Sequence, residues 1–104
     1  MTRLTAPPQP QVYVHGPIRA GQIEYARRKT GAALEHAPRP VLFVRLTLGH
    51  ARVRGAGQPY AVAVHADVSG LEIHAAATAA TFSEAVDLAQ RRLGAQLSRA
   101  DRRR

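Results

Sequence analysis

Three runs of alternating residues lie in the middle of the chain, between Val41 and Thr78, and they fit a sheet with one apolar face. "VLFVRLTLG" (Val41–Gly49) sets Leu42, Val44, Leu46 and Leu48 against Phe43, Arg45 and Thr47. "YAVAVHADV" (Tyr60–Val68) sets Tyr60, Val62 and Val64 against Ala61, Ala63 and His65, and "LEIHAAAT" (Leu71–Thr78) sets Leu71, Ile73, Ala75 and Ala77 against Glu72 and His74. Successive side chains of a strand point to opposite faces, so each run buries one row and leaves the other in water. Ser69-Gly70 has the composition of a tight hairpin turn between the second and third runs. A one-sided sheet of this kind requires a covering layer.

Two segments with helical period supply that cover. Between about Arg19 and His36, the residues Ile23, Ala26, Thr30, Ala33 and Leu34 fall on one helical face, with Gly31 weakening the segment and "APRP" (Ala37–Pro40) ending it. The last helix starts near Thr81, an N-cap residue with Glu84 at the capping-box position. Phe82, Ala85, Val86, Ala89, Leu93 and Leu97 form its apolar stripe, and Asp87 and Arg91 sit four apart in the favourable acid-first order. "QVYVHG" (Gln11–Gly16) alternates Val12 and Val14 with Tyr13 and His15 and is stopped by Gly16-Pro17.

The predicted order is β-α-β-β-β-α. It implies a two-layer α+β sandwich, a four-stranded sheet with two helices on one face, similar to double-stranded-RNA-binding domains in its overlapping α-β-β-β-α layout. The last three strands are expected to be antiparallel, and the first is free to pair parallel to a neighbour. One domain suits 104 residues. It is expected over residues 11–100, after a disordered proline-rich tail (1–10) and before a basic tail (101–104), with "GHARVRGAGQP" (Gly49–Pro59) as a flexible connection.

Charge narrows the partner. Fifteen basic residues, fourteen of them arginine, stand against seven acidic ones, a formal net charge of +8. Such a surplus favours a polyanion, nucleic acid before an anionic membrane. Within the final "RRLGAQLSRADRRR" (Arg91–Arg104) the single acid among six arginines is Asp101, so this end is not a mixed-sign surface. At 100° per residue Arg92, Arg99 and Arg103 flank the apolar stripe, while Arg91 and Arg102 lie further round. On the first helix Arg27 borders the core, and Arg28 and Lys29 point outward. If the helices lie side by side, these groups make one basic strip able to straddle a phosphate backbone. The strip has no aromatic residue for base stacking, which favours structured RNA read by shape.

The segment "GLEIHAAATAATFSEAVDLAQRRLGAQLSR" (Gly70–Arg99) resembles the end of the ribosome hibernation-promoting factor family, also called sigma-54 modulation or ribosome-associated inhibitor proteins. Gly70, Glu72-Ile73-His74-Ala75, Phe82, Ala85-Val86-Asp87, Arg92-Leu93, Gln96-Leu97 and Arg99 occupy the family's characteristic places, and "EYARRK" (Glu24–Lys29) resembles its first-helix segment. The resemblance implies a cytoplasmic domain that docks in the decoding channel of the small ribosomal subunit. There it would contact 16S-type rRNA and block mRNA and tRNA by occupancy. It places Arg92, Arg99, Arg103 and Lys29 at basic sites of the family; Arg27, Arg28, Arg91 and Arg102 are added by helix geometry. Gly31 and Gly94 depart from the family's usual helix formers, and the acidic residue before its last helix is missing from "ATAATF". Long family members carry a further C-terminal domain, so these residues are expected to be either a short form or the N-terminal part of a longer chain.

Other chemistry finds little support. No cysteine is present, which removes disulfides and thiolate metal sites. His15, His65 and His74 fall on strand faces away from the core without ligand spacing, so neither a metal nor any other cofactor is expected. The seven carboxylates include no acid/base pair, and "GAG" (Gly55–Gly57) lacks the Lys-Ser/Thr ending of a phosphate loop. No enzyme, small-molecule substrate or membrane is implied. Two alternatives stay open: a generic structured-RNA-binding domain, and a protein-interaction module whose charge serves only solubility.

Overall fold

The alternating runs form the strands they predict, and one additional residue near the start of the first run changes the face it shows. In this computed structural model, residues 8–51, 57 and 59–102 are described. The elements are β1 (Gln11–His15), α1 (Ala20–Leu34), β2 (Val41–His50), β3 (Tyr60–Val68), β4 (Leu71–Ala79) and α2 (Phe82–Arg102). They form one mixed sheet in the order β1-β2-β3-β4, with β1 parallel to β2 and the other pairs antiparallel. The helices lie over β2, β3 and β4 on one face, giving the expected β-α-β-β-β-α sandwich. Most of the predicted tail (1–10), most of the 49–59 connection and the end of the basic tail lie outside the described residues.

Local chemistry sets the boundaries. The Oε1 of Gln22 accepts the Arg19 N–H at 2.8 Å, closing the first turn of α1. Thr81 caps α2 as expected, its Oγ1 accepting the Glu84 N–H at 3.3 Å. The two-residue turn Ser69-Gly70 has positive φ at both positions (52° and 93°), the geometry of a hairpin turn that matches strand twist. Its Gly70 N–H donates to Asp67 Oδ1 at 2.7 Å. Gly16, which ends β1, has φ 84°, and a Cβ there would collide with the His50 carbonyl.

The core joins the inward rows of β2, β3 and β4 to the apolar stripe of α2, with Val44, Leu46 and Leu48 of β2 fully buried at its centre. Val62, Val64, Ala66 and Val68 of β3 and Ile73, Ala75, Ala77 and Ala79 of β4 are buried against Phe82, Ala85, Val86, Ala89, Leu93 and Leu97 of α2. Each fully buried valine or leucine side chain contributes about 1.5–3 kcal/mol from removal of apolar surface. From α1, Ala26, Thr30 and Leu34 join this core.

Two inward assignments need correction. Val41 pairs with Val68 and Phe43 with Asp67, so Leu42 is a bulge residue between them. The bulge breaks the alternation, turns Leu42 out to 62% exposure and lets Val41 pack against the core instead. In β1, Val12 packs inward but Val14 is 40% exposed, because β1 lies at the rim beyond the helical cover. This register has a direct check. Leu46→Ala should cost about 2–5 kcal/mol in denaturant unfolding, whereas Leu42→Ser should change stability by less than about 0.5 kcal/mol.

Candidate nucleic-acid interface

The two helices touch through polar bridges that fix where their cations stand. The hydroxyl of Tyr25 on α1 donates to Asp87 Oδ1 on α2 at 2.9 Å. One turn on, Gln90 Nε2 donates to the buried Thr30 Oγ1, also at 2.9 Å. Asp87 is thus engaged with Tyr25, and among the described residues it forms no ion pair with Arg91, contrary to the i,i+4 expectation.

Tyr25 also organises the basic segment of α1. The Arg28 guanidinium lies 5.8 Å and the Lys29 ammonium 5.9 Å from its ring centroid, within cation–π range, and both side chains are exposed. Arg27 differs, because its Nη1 pairs with Glu24 Oε1 at 3.0 Å. On α2, Arg91 and Arg99 are exposed, and neither is ion-paired among the described residues.

Arg92 has a structural engagement. Its Nη1 donates to the Ala76 carbonyl at 2.7 Å, and Gln96 Nε2 donates to the His74 carbonyl. Both acceptors belong to β4, the outer strand, so two side chains one helical turn apart cover two of its edge carbonyls. Gln90 and Arg92 are about 200° apart around the helix. Because α1 packs on the flank bearing Asp87 and Gln90, Arg92 and Arg99 hang on the opposite flank, above β4. The single strip expected from sequence is therefore two groups: Arg28 and Lys29 with α1 and Arg91 on the outer surface of α2, and Arg92 with Arg99 at the β4 edge. The side chain of Arg102 and all of Arg103 lie outside the described residues.

The open sheet face adds a cation that sequence reasoning left unused. Arg45 of β2 lies 5.9 Å from the Tyr13 ring centroid and 5.5 Å from that of Phe43. On the same face, strand register sets His65 directly opposite His74, with their rings stacked at 4.2 Å. Two of the three histidines without ligand spacing in sequence, His65 and His74, are thus neighbours in space, while His15 lies on β1. The signal was the two-residue turn, since counting back from it pairs position 68 with 71 and hence 65 with 74.

The Tyr25 hydroxyl is held above its ordinary value of 10.0, first by its hydrogen bond to Asp87, then by burial and the Asp87 charge, with Arg28 opposing. A raised value means the protonated hydroxyl stabilises the fold below pH 10.0, and the contribution is lost as pH rises further. Tyr25→Phe should accordingly lower the melting temperature at neutral pH, and the gap to the parent protein should close in strong alkali. Arg92→Ala should cost about 0.5–1.5 kcal/mol through its lost edge hydrogen bond. Arg99→Ala should stay within about 0.5 kcal/mol in the same unfolding assay.

No protein-family model and no curated protein matches the sequence. Solved structures do match the fold. The N-terminal domain of Protein Y from Thermus thermophilus superposes with a TM-score of 0.70 at 17% identity, covering 88% of this chain and 98% of that one. A ribosomal subunit interface protein from Coxiella burnetii superposes at 0.67 and 17% identity, covering 89% and 99% respectively. Nearly the whole of each neighbour is covered, so this chain has the fold of the Protein Y N-terminal domain.

Proposed function

We propose that this chain is a ribosome-docking domain of the hibernation-promoting type, acting in the cytoplasm by occupancy of the small subunit's decoding channel. The observation that carries this reading is the near-complete overlap with two proteins, one of them named for the ribosomal subunit interface. The agreement of that fold with the Gly70–Arg99 sequence resemblance supports it, as do exposed, unneutralised cations on both helices.

In this reading Arg28, Lys29 and Arg91 engage 16S-type rRNA phosphates from the outer helical surface, and Arg99 does so from the β4 side. Arg27 joins only by exchanging Glu24 for a phosphate. Arg92 has one nitrogen committed to the Ala76 carbonyl and binds RNA through the rest of its guanidinium, which offers five N–H donors. Arg102 and Arg103 extend the same charge. The domain blocks mRNA and tRNA by filling their path. It makes and breaks no covalent bond, so it requires no cofactor and is not an enzyme.

Co-sedimentation with purified 30S and 70S particles tests the proposal. The protein should pellet with assembled particles in preference to isolated duplex RNA. Affinity should fall several hundred-fold or more between about 50 and 200 mM salt if about six phosphates are neutralised. Arg28→Glu with Lys29→Glu and Arg91→Glu should abolish pelleting while the melting temperature is retained. Equal affinity for any duplex RNA would favour the generic RNA-binding alternative. Binding that is insensitive to both salt and these substitutions would leave the protein-interaction alternative standing.

A further inference from the structure

The open sheet face carries a second cluster, distinct from the helical cations, in which two imidazoles share one carboxylate neighbour. His65 of β3 and His74 of β4 are direct cross-strand partners, and Asp67 and Glu72 are the next such pair but one along. The two imidazoles lie almost parallel, with 8° between their planes and 4.2 Å between centroids. Both direct Nε2 toward the same carboxylate oxygen: Glu72 Oε1 stands 3.3 Å from His65 Nε2 and 4.0 Å from His74 Nε2. One donor atom from each residue fits within a span of 4.8 Å.

We propose that His65, Glu72 and His74 bind one divalent transition-metal ion of the zinc class, with water completing the coordination. Two imidazole nitrogens and a carboxylate oxygen form a donor set suited to such ions, and three protein ligands leave a fourth position open. Ligand bonds of about 2.0–2.1 Å in a tetrahedron need donor–donor separations of about 3.3 Å. The His65–Glu72 separation already meets this; rotation of the Glu72 and His74 side chains, which are 65% and 68% exposed, closes the His74–Glu72 separation and turns the His74 ring out of the stack so that both imidazole lone pairs face one ion.

The scaffold favours a defined site. All three ligands stand on strands joined by a two-residue turn, and Phe43 packs edge-on against His65 at 6.0 Å. The neighbouring charges do not oppose it directly. Arg45 is the β2 partner of His65, but its guanidinium lies over the Tyr13 and Phe43 rings, toward β1. The Asp67 carboxylate is engaged with the Gly70 N–H. The inference rests on this geometry alone and is independent of ribosome docking.

Zinc titration of the untagged full chain at neutral pH, by calorimetry or against a chromophoric chelator, tests it. We expect one Zn²⁺ per chain with a Kd tighter than about 10 µM. Co²⁺ in its place should give the visible absorption of a tetrahedral site. His74→Ala and Glu72→Gln should each weaken binding at least about tenfold, as loss of a ligand costs no less than loss of an outer-shell partner. Metal-free circular dichroism should remain unchanged, because these side chains lie on the open face. Binding weaker than about 10 µM would overturn the proposal. So would full-strength binding by the His65→Ala, His74→Ala double variant, which would assign the ion to other histidines. The titration contains no ribosomes, so its failure and that of the docking proposal are separate results.

Discussion

The fold depends on covering one apolar face of a sheet whose β3 and β4 rows are mostly small. Valine and alanine rows on β3 and β4 cannot build a core alone, and α2 lays Phe82, Val86, Leu93 and Leu97 into the shallow surface they make. Everything else about the molecule's surfaces follows from that placement. Burying one row by period-2 alternation necessarily exposes the other, so Val64 and Ile73 go inside while His65 and His74 go outside. The helical layer then bears one set of polar groups and the open sheet face a different one.

The position of α1 beside α2 decides how the positive charge is distributed. The Tyr25–Asp87 and Thr30–Gln90 bridges hold α1 against one flank of α2, so the basic segment of α1 meets α2 where an aspartate already sits. The opposite flank closes over β4, and there an arginine serves the backbone before it serves any ligand. A guanidinium has donors to spare, so edge protection and phosphate contact are compatible in one side chain. The cost is that such a residue cannot be truncated without touching stability.

Much of this was legible in the chain itself. The β-α-β-β-β-α order, the Thr81 cap, the Ser69-Gly70 turn and the inward rows of β3 and β4 all follow from local period and capping chemistry. The exceptions share a cause, since each depends on what lies beside an element and not within it. Counting by twos through Val41–Leu48 assumes an uninterrupted strand, and the bulge at Leu42 breaks that assumption. A helical wheel assigns Arg92 to a flank but says nothing of the strand edge waiting there. The His65–His74 pair is different, because the tight turn determined the register and the pairing could have been counted from it.

The sheet's two margins are chemically unlike, and this gives the molecule a direction in which it can recruit another strand. On β4, side chains from α2 occupy carbonyls that an incoming chain would need. On β1 the margin is five residues long, about 17 Å, and stands between Pro10 and Pro17. Edge-to-edge pairing is thus hindered at β4 by two covered carbonyls and limited at β1 to a short lip framed by residues that cannot donate a hydrogen bond.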